Sequence, residues 1–209
     1  MRYAFLPIAL VAALSLSGPA QAASVVFSGT RTNVDTPGTP AARCGSRFTA
    51  SIRNDPPAGA TASGTSNVGN FTPTMSHCIT LPLSVNMTNV FDLGEFIFQF
   101  DTGTIFGTYE GVIDAVTPGV FTGSFNIAQS HIVTGGTGFF AGTTGSFKSA
   151  GVLTIVPGQR PNVTQRFEGV LDIPAVPEPA TWGMMILGFG VIGSALRSRR
   201  RVAVRFAPA

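Results

Sequence analysis

The chain has 209 residues and a formal net charge of +3, and only 11% of its residues are charged, against roughly 25% in an average soluble domain. Twenty-five glycines, seventeen phenylalanines and a scarcity of Glu and Lys exclude a disordered polyelectrolyte and a helical bundle. The excess cations lie at the chain ends. Residues 23–176 hold seven cations against nine carboxylates, so the body offers no basic face to a phosphate backbone and nucleic-acid binding is disfavoured.

Arg2 is followed by an apolar run from Tyr3 to Leu16, then by Gly18-Pro19 and by Ala20-Gln21-Ala22. A basic start, a short apolar core and a small-x-small site describe a secretory signal peptide over residues 1–22, cut between Ala22 and Ala23. The alternative is an N-terminal anchor, for which the run is short of the roughly 20 residues a span needs.

Residues 23–173 are predicted to form the exported domain. No helical apolar period extends beyond a turn or two, whereas period-2 alternation recurs. Phe96, Phe98 and Phe100 share one face, as do Ile105, Tyr109 and Ile113; Phe121, Phe125 and Ile127; and Val163, Phe167, Leu171 and Ile173. Gly and Pro clusters punctuate these runs. The pattern predicts an all-β fold of about eight antiparallel strands, near 24–32, 47–54, 66–80, 93–101, 104–115, 119–133, 139–156 and 162–173. An even number near eight permits closure into a barrel with a filled interior or room for one small ligand.

Cys44 and Cys78 are the only cysteines. In an exported chain an even pair reads as a disulfide. A catalytic thiol beside His77 and a metal site are the alternatives. Neighbours on a strand point to opposite faces, which sets His77 apart from Cys78, and neither His77 nor His131 has a ligand-spaced companion. No metal or cofactor is therefore expected.

The segment Gly135 to Phe147 is rich in glycine but lacks the Lys-Ser/Thr and the helix of a phosphate loop, so it predicts a tight hairpin with positive-φ glycines and bulges. Its core, Ile132-Val-Thr-Gly-Gly-Thr-Gly-Phe-Phe-Ala-Gly-Thr-Thr-Gly, resembles the allene oxide cyclase and dirigent-type barrels of the calycin kind. Gly69-Asn-Phe-Thr72, Ser76-His-Cys78 and Gly103-Thr-Ile-Phe-Gly-Thr-Tyr-Glu-Gly111 resemble the equivalent segments of bacterial exported members. The resemblance spans roughly residues 60–173 and implies an eight-stranded barrel in a family that includes a cyclase and stereochemistry-guiding proteins. No catalytic carboxylate aligns. Glu95 and Glu110 are the candidates on strands, and Glu95 lies opposite the phenylalanine face, toward solvent.

Residues 174–209 form a third part. Pro177-Glu178-Pro179 is followed by an uncharged stretch to Leu196, which is 18 residues from Pro179, and then by Arg197, Arg199, Arg200, Arg201 and Arg205. As a helix over about 180–196 the stretch predicts a thin membrane span of about 27 Å, held by cytoplasmic arginines with Trp182 at the outer interface. Gly190 and Ser194 form a small-xxx-small pair suited to close helix contact. Val176-Pro-Glu-Pro-Ala-Thr-Trp182, the span with Leu187-Gly-Phe-Gly190, and the arginines resemble a PEP-CTERM sorting signal. That resemblance implies an exosortase as partner, cleavage near Pro177-Glu178-Pro179 and passage to the cell surface or extracellular matrix. Prolines flanking Glu178 keep the segment extended, as a protease cleft requires, and Glu178 suits a cationic pocket.

The expected protein is a non-catalytic envelope or matrix component, transiently anchored in the inner membrane with its domain outside. The second reading is a barrel that binds or isomerises a small apolar ligand. Exopolysaccharide is a further partner class for its Thr-rich faces.

Overall fold

The computed structural model describes residues 22–34, 36–55, 59–120, 122–174 and 179–199, with the backbone path alone for 36–39, 179–182 and 198–199. The predicted signal segment, Ala20 included, lies outside the described residues. Ala22 is exposed, and Ala23 opens the first strand.

The described residues contain ten strands: β1 (Ala23–Val34), β2 (Thr36–Pro40), β3 (Phe48–Ile52), β4 (Thr61–Ser66), β5 (Gly69–Ile79), β6 (Asn89–Phe100), β7 (Gly103–Ala115), β8 (Gly123–Gly138), β9 (Thr144–Ile155) and β10 (Asn162–Ile173). All pair antiparallel. The order is β2-β3-β5-β4-β1-β10-β9-β8-β7-β6, and the added β5–β6 pairing closes the sheet into a ring. One edge of β5 is shared: Gly69–Phe71 pair with β4, and Met75–Ile79 with β3. Closure leaves the interior side chains no route to water, which is why the alternation in β6 and β8 is so regular.

The prediction of about eight strands is corrected to ten. Two strands escaped the pattern. β4 reads Thr-Ala-Ser-Gly-Thr-Ser, whose small residues give no apolar alternation, yet Ala62 and Gly64 are buried. β2 carries two prolines and pairs only with β3, as proline demands of a strand at a sheet edge. The predicted strand 139–156 loses its start, because Phe139–Thr143 make the turn between β8 and β9. Gly138 (φ 60°) and Gly142 (φ 74°) take the left-handed conformations that this turn requires. Phe140 folds back from it, fully buried, to meet Phe100 at 4.9 Å.

The interior is largely aromatic. Phe71 stacks on Phe98 at 4.4 Å and Phe27 meets Phe167 at 4.8 Å, with Phe96, Phe125 and Phe147 in the same cluster. The faces assigned by alternation are the buried ones: Phe96, Phe98, Phe100, Ile105, Tyr109, Ile113, Phe125, Ile127, Val163, Phe167, Leu171 and Ile173. Phe121 lies outside the described residues.

Cys44, which ends a 3₁₀ turn (Ala42–Cys44), is bonded to Cys78 on β5. His77 instead contacts Phe91 and Tyr109. The two neighbours thus serve different partners, as the alternation predicts. The bond closes a 34-residue separation, so replacing both cysteines by serine is expected to lower stability by about 3–4 kcal/mol. Urea unfolding of wild type and the double variant checks this, and coincident midpoints would contradict it.

A separate helix, α1 (Pro179–Arg199), follows the strand domain. The predicted membrane span is corrected: among the described residues no helix is long and apolar enough to cross a membrane. The apolar stretch of α1 is diluted by Gly183, Gly188, Gly190 and Gly193.

Candidate functional site

A polar cluster built on Arg31 lies in the ring interior. This residue lies on the inward parity of β1 with Phe27, and its side chain is 2% exposed. Its cross-strand partners are Gly64 and Gln165, and Gly151 follows Gln165 on β9. At Gly64 the place of a Cβ is taken by the Phe71 ring, and at Gly151 by the backbone of Thr164 and Gln165. Arg31 Nη1 donates to Asn33 Oδ1 (3.0 Å), and Nη2 donates to Gln129 Oε1 (2.8 Å) and to Gln165 Oε1. Ser149 Oγ also donates to Gln129 Oε1 (3.0 Å). Residues of β1, β8, β9 and β10 are therefore tied together inside the ring.

Two histidines lie in the same interior. His77 Nδ1 is 2.7 Å from the Tyr109 hydroxyl. His131 stacks between Tyr109 (5.2 Å) and Phe147 (4.2 Å). Burial lowers the His77 pKa to about 3; the positive charges of Arg31 and Arg43 act in the same direction, and Asp92 opposes them. Burial, then Arg31, also holds His131 well below the usual histidine range, against a backbone interaction with Phe147. Both rings are neutral at physiological pH. Neither is poised for proton transfer near pH 7, because a general acid or base works best with a pKa close to the working pH.

Glu95 and Glu110 are exposed, as the parity argument places Glu95. They line an open groove of about 590 Å³ on the outer face of β6–β8, with Arg43, Thr108, Ser130 and Ile132. Arg43 holds the rim: Nη1 donates to Leu93 O (2.6 Å) and Nη2 to Ser76 Oγ (2.7 Å), which fixes the bulge between Phe91 and Gly94. Among the described residues no group of three or more His, Cys, Asp or Glu could hold a metal ion.

Of the C-terminal site residues, Pro177, Glu178, Arg200, Arg201 and Arg205 lie outside the described residues. Pro179 begins α1, where its missing N–H costs nothing, and Trp182 and Arg199 are placed by backbone alone within it. Arg197 is exposed on the last turns. Met184, Ile186, Leu187, Phe189 and Leu196 are each more than 60% exposed. The apolar residues show no amphipathic stripe, so the helix needs apolar cover on every side. Of the strand-domain side chains singled out in the sequence, Cys44 and Cys78 meet in the disulfide, and Glu95 and Glu110 line the same groove. The interior cluster that does assemble was missed, although one signal pointed to it: Arg31, Gln129 and Gln165 each share the parity of apolar neighbours.

Residues 175–201 match the PEP-CTERM protein-sorting motif. No curated protein matches the chain, and no solved structure matches it. The likeness of residues 60–173 to allene oxide cyclase and dirigent-type proteins thus gains no relative. The motif implies export, recognition by an exosortase and processing at the cell envelope.

Proposed function

We propose that this chain is an exported envelope or extracellular-matrix protein whose ring of strands is non-catalytic cargo, delivered and then released by an exosortase acting at its C-terminal segment. The sorting motif at 175–201 carries the reading. Three features support it. Helix α1 exposes apolar side chains all round, and lipid or the interior of a membrane-embedded enzyme supplies the cover it lacks. Pro177-Glu178-Pro179 sets a carboxylate between two prolines where that helix begins. The interior of the strand domain is filled with phenylalanine side chains, which favours cargo over a cavity for a drug-sized ligand.

Fractionation of the tagged full-length chain, with and without Pro177, Glu178 and Pro179 changed to alanine, tests the proposal in the native host. Wild type is expected in the surface or medium fraction without its arginine tail, and the triple variant almost wholly in the membrane fraction. An intact Arg197–Ala209 tail on the mature wild-type protein, read by mass spectrometry, defeats the proposal.

A further inference from the structure

We propose that the Cys44–Cys78 bond is a latch, set by oxidation while the chain folds, that acts through Arg43 on the bulge of β6 and so shapes the outer groove. The inference is independent of the sorting reading and starts from a backbone position. Phe91 pairs with Gly111 and Gly94 with Tyr109, so Asp92 and Leu93 together oppose Glu110 on β7. Leu93 takes φ 50°, the one non-glycine residue with positive φ among the described residues. Such a conformation is costly for a bulky side chain and persists only where its surroundings enforce it. The Leu93 side chain is 55% exposed, so its own burial does not enforce it.

The hold on the bulge comes from the turn that carries Cys44. Arg43 donates to the Leu93 carbonyl and to Ser76 Oγ on β5, and Arg47 forms an ion pair with Asp92 at 2.7 Å. The two arginines differ in their own support. Arg47 directly precedes β3, whose pairing with β5 begins at Phe48. Arg43 lies in the 3₁₀ turn between β2 and β3, and its neighbour Cys44 is bonded to Cys78, the register partner of Asp92. The bond therefore pins the backbone beside Arg43 next to the bulge itself. Without it, that guanidinium is carried by a turn held only at its ends. Leu93, Gly94 and Glu95 wall the groove together with Arg43, so release of the clamp moves the wall. Closing the bond takes two protons and two electrons from the thiols, which a disulfide oxidant receives on its own two sulfurs. Cys44 and Cys78 are buried, so the latch is set during folding in an oxidising compartment rather than toggled afterwards.

Hydrogen exchange of the full-length chain in detergent micelles, read by mass spectrometry, compares oxidised wild type with Cys44→Ser/Cys78→Ser, with Arg43→Gln and with the combination. Exchange is read at times short enough that residues 124–133 of β8 stay protonated in every variant, so that only local opening counts. Residues 91–96 are expected to exchange about tenfold faster in the cysteine-free chain, the scale of one hydrogen bond from a charged donor. Arg43→Gln in the oxidised chain is expected to give a similar rise, and adding it to the cysteine-free chain little more. An unchanged rate at 91–96 without the cysteines overturns the proposal, as does a full further effect of Arg43→Gln in their absence. Should the cysteine-free chain not fold, the equilibrium of the bond with dithiothreitol decides. Coupling is reciprocal, so Arg43→Gln is expected to lose the bond at a several-fold lower ratio of reduced to oxidised dithiothreitol than wild type. Equal ratios overturn the proposal.

Discussion

Arg31→Ala is expected to destabilise the strand domain by about 3–5 kcal/mol, close to half the stability of a typical domain. The loss has two sources. Three buried side-chain carbonyls, those of Asn33, Gln129 and Gln165, lose a charged donor at once, and an orphaned buried acceptor costs about 1–3 kcal/mol. Removing the long side chain also opens a void in a layer where Gly64 and Gly151 contribute no side chain to collapse into it. Replacing the group together tests the account. Arg31→Met with Gln129→Leu and Gln165→Leu removes the donor and two of its three acceptors, leaving Asn33, and is expected to recover part of the loss, as apolar replacements of buried polar networks often do. Urea unfolding of the three proteins decides. A triple variant no more stable than Arg31→Ala would mean that space rather than hydrogen bonding governs the site.

Acidification is expected to destabilise the domain already at pH values above those at which carboxylates titrate. His77 has a folded pKa of about 3, below the value near 6.5 of an unfolded histidine. The unfolded state therefore binds the extra proton first, and stability falls as pH drops from about 6.5 toward 3. At pH 5 this one residue removes roughly 2 kcal/mol relative to pH 8. His131, also held well below its ordinary value by burial and by Arg31, adds a loss of the same sign in the same range. His131→Phe keeps the stack between Tyr109 and Phe147 and is expected to make the decline below pH 6.5 shallower without lowering stability at pH 8. Unfolding midpoints at pH 5, 6, 7 and 8 provide the measurement. An unchanged slope in His131→Phe would show that this ring is not buried neutral.

The interior of the ring also shows why some of this site was legible and some was not. Alternation in β6 and β10 marks Phe96, Phe98, Phe100, Val163, Phe167 and Leu171 as inward, because large apolar side chains at period 2 have one low-energy side of a sheet. Gln165 falls between Val163 and Phe167 on that same parity, and Gln129 between Ile127 and His131. Their polarity suggests solvent when read one strand at a time. Only the presence of Arg31 opposite them makes burial tolerable, and its sequence separations of 98 and 134 residues lie far outside any local pattern.

What the sequence determined alone is local in origin. The Pro-Glu-Pro segment with its apolar stretch and arginines is a linear signal, recognised from adjacent residues without any fold, and the inward faces of the long strands follow from a two-residue period. The cysteine pair needed only its count and the exported character of the chain. What the tertiary structure decided depends on long-range pairing. β5 divides one edge between β3 and β4, β5–β6 closes the ring, and closure turns a scattered arginine and two glutamines into one buried cluster. The physical reason is that a period fixes which face a residue takes, whereas which residues meet across the interior depends on strand order and register, and short polar strands such as β4 carry too little apolar pattern to reveal either.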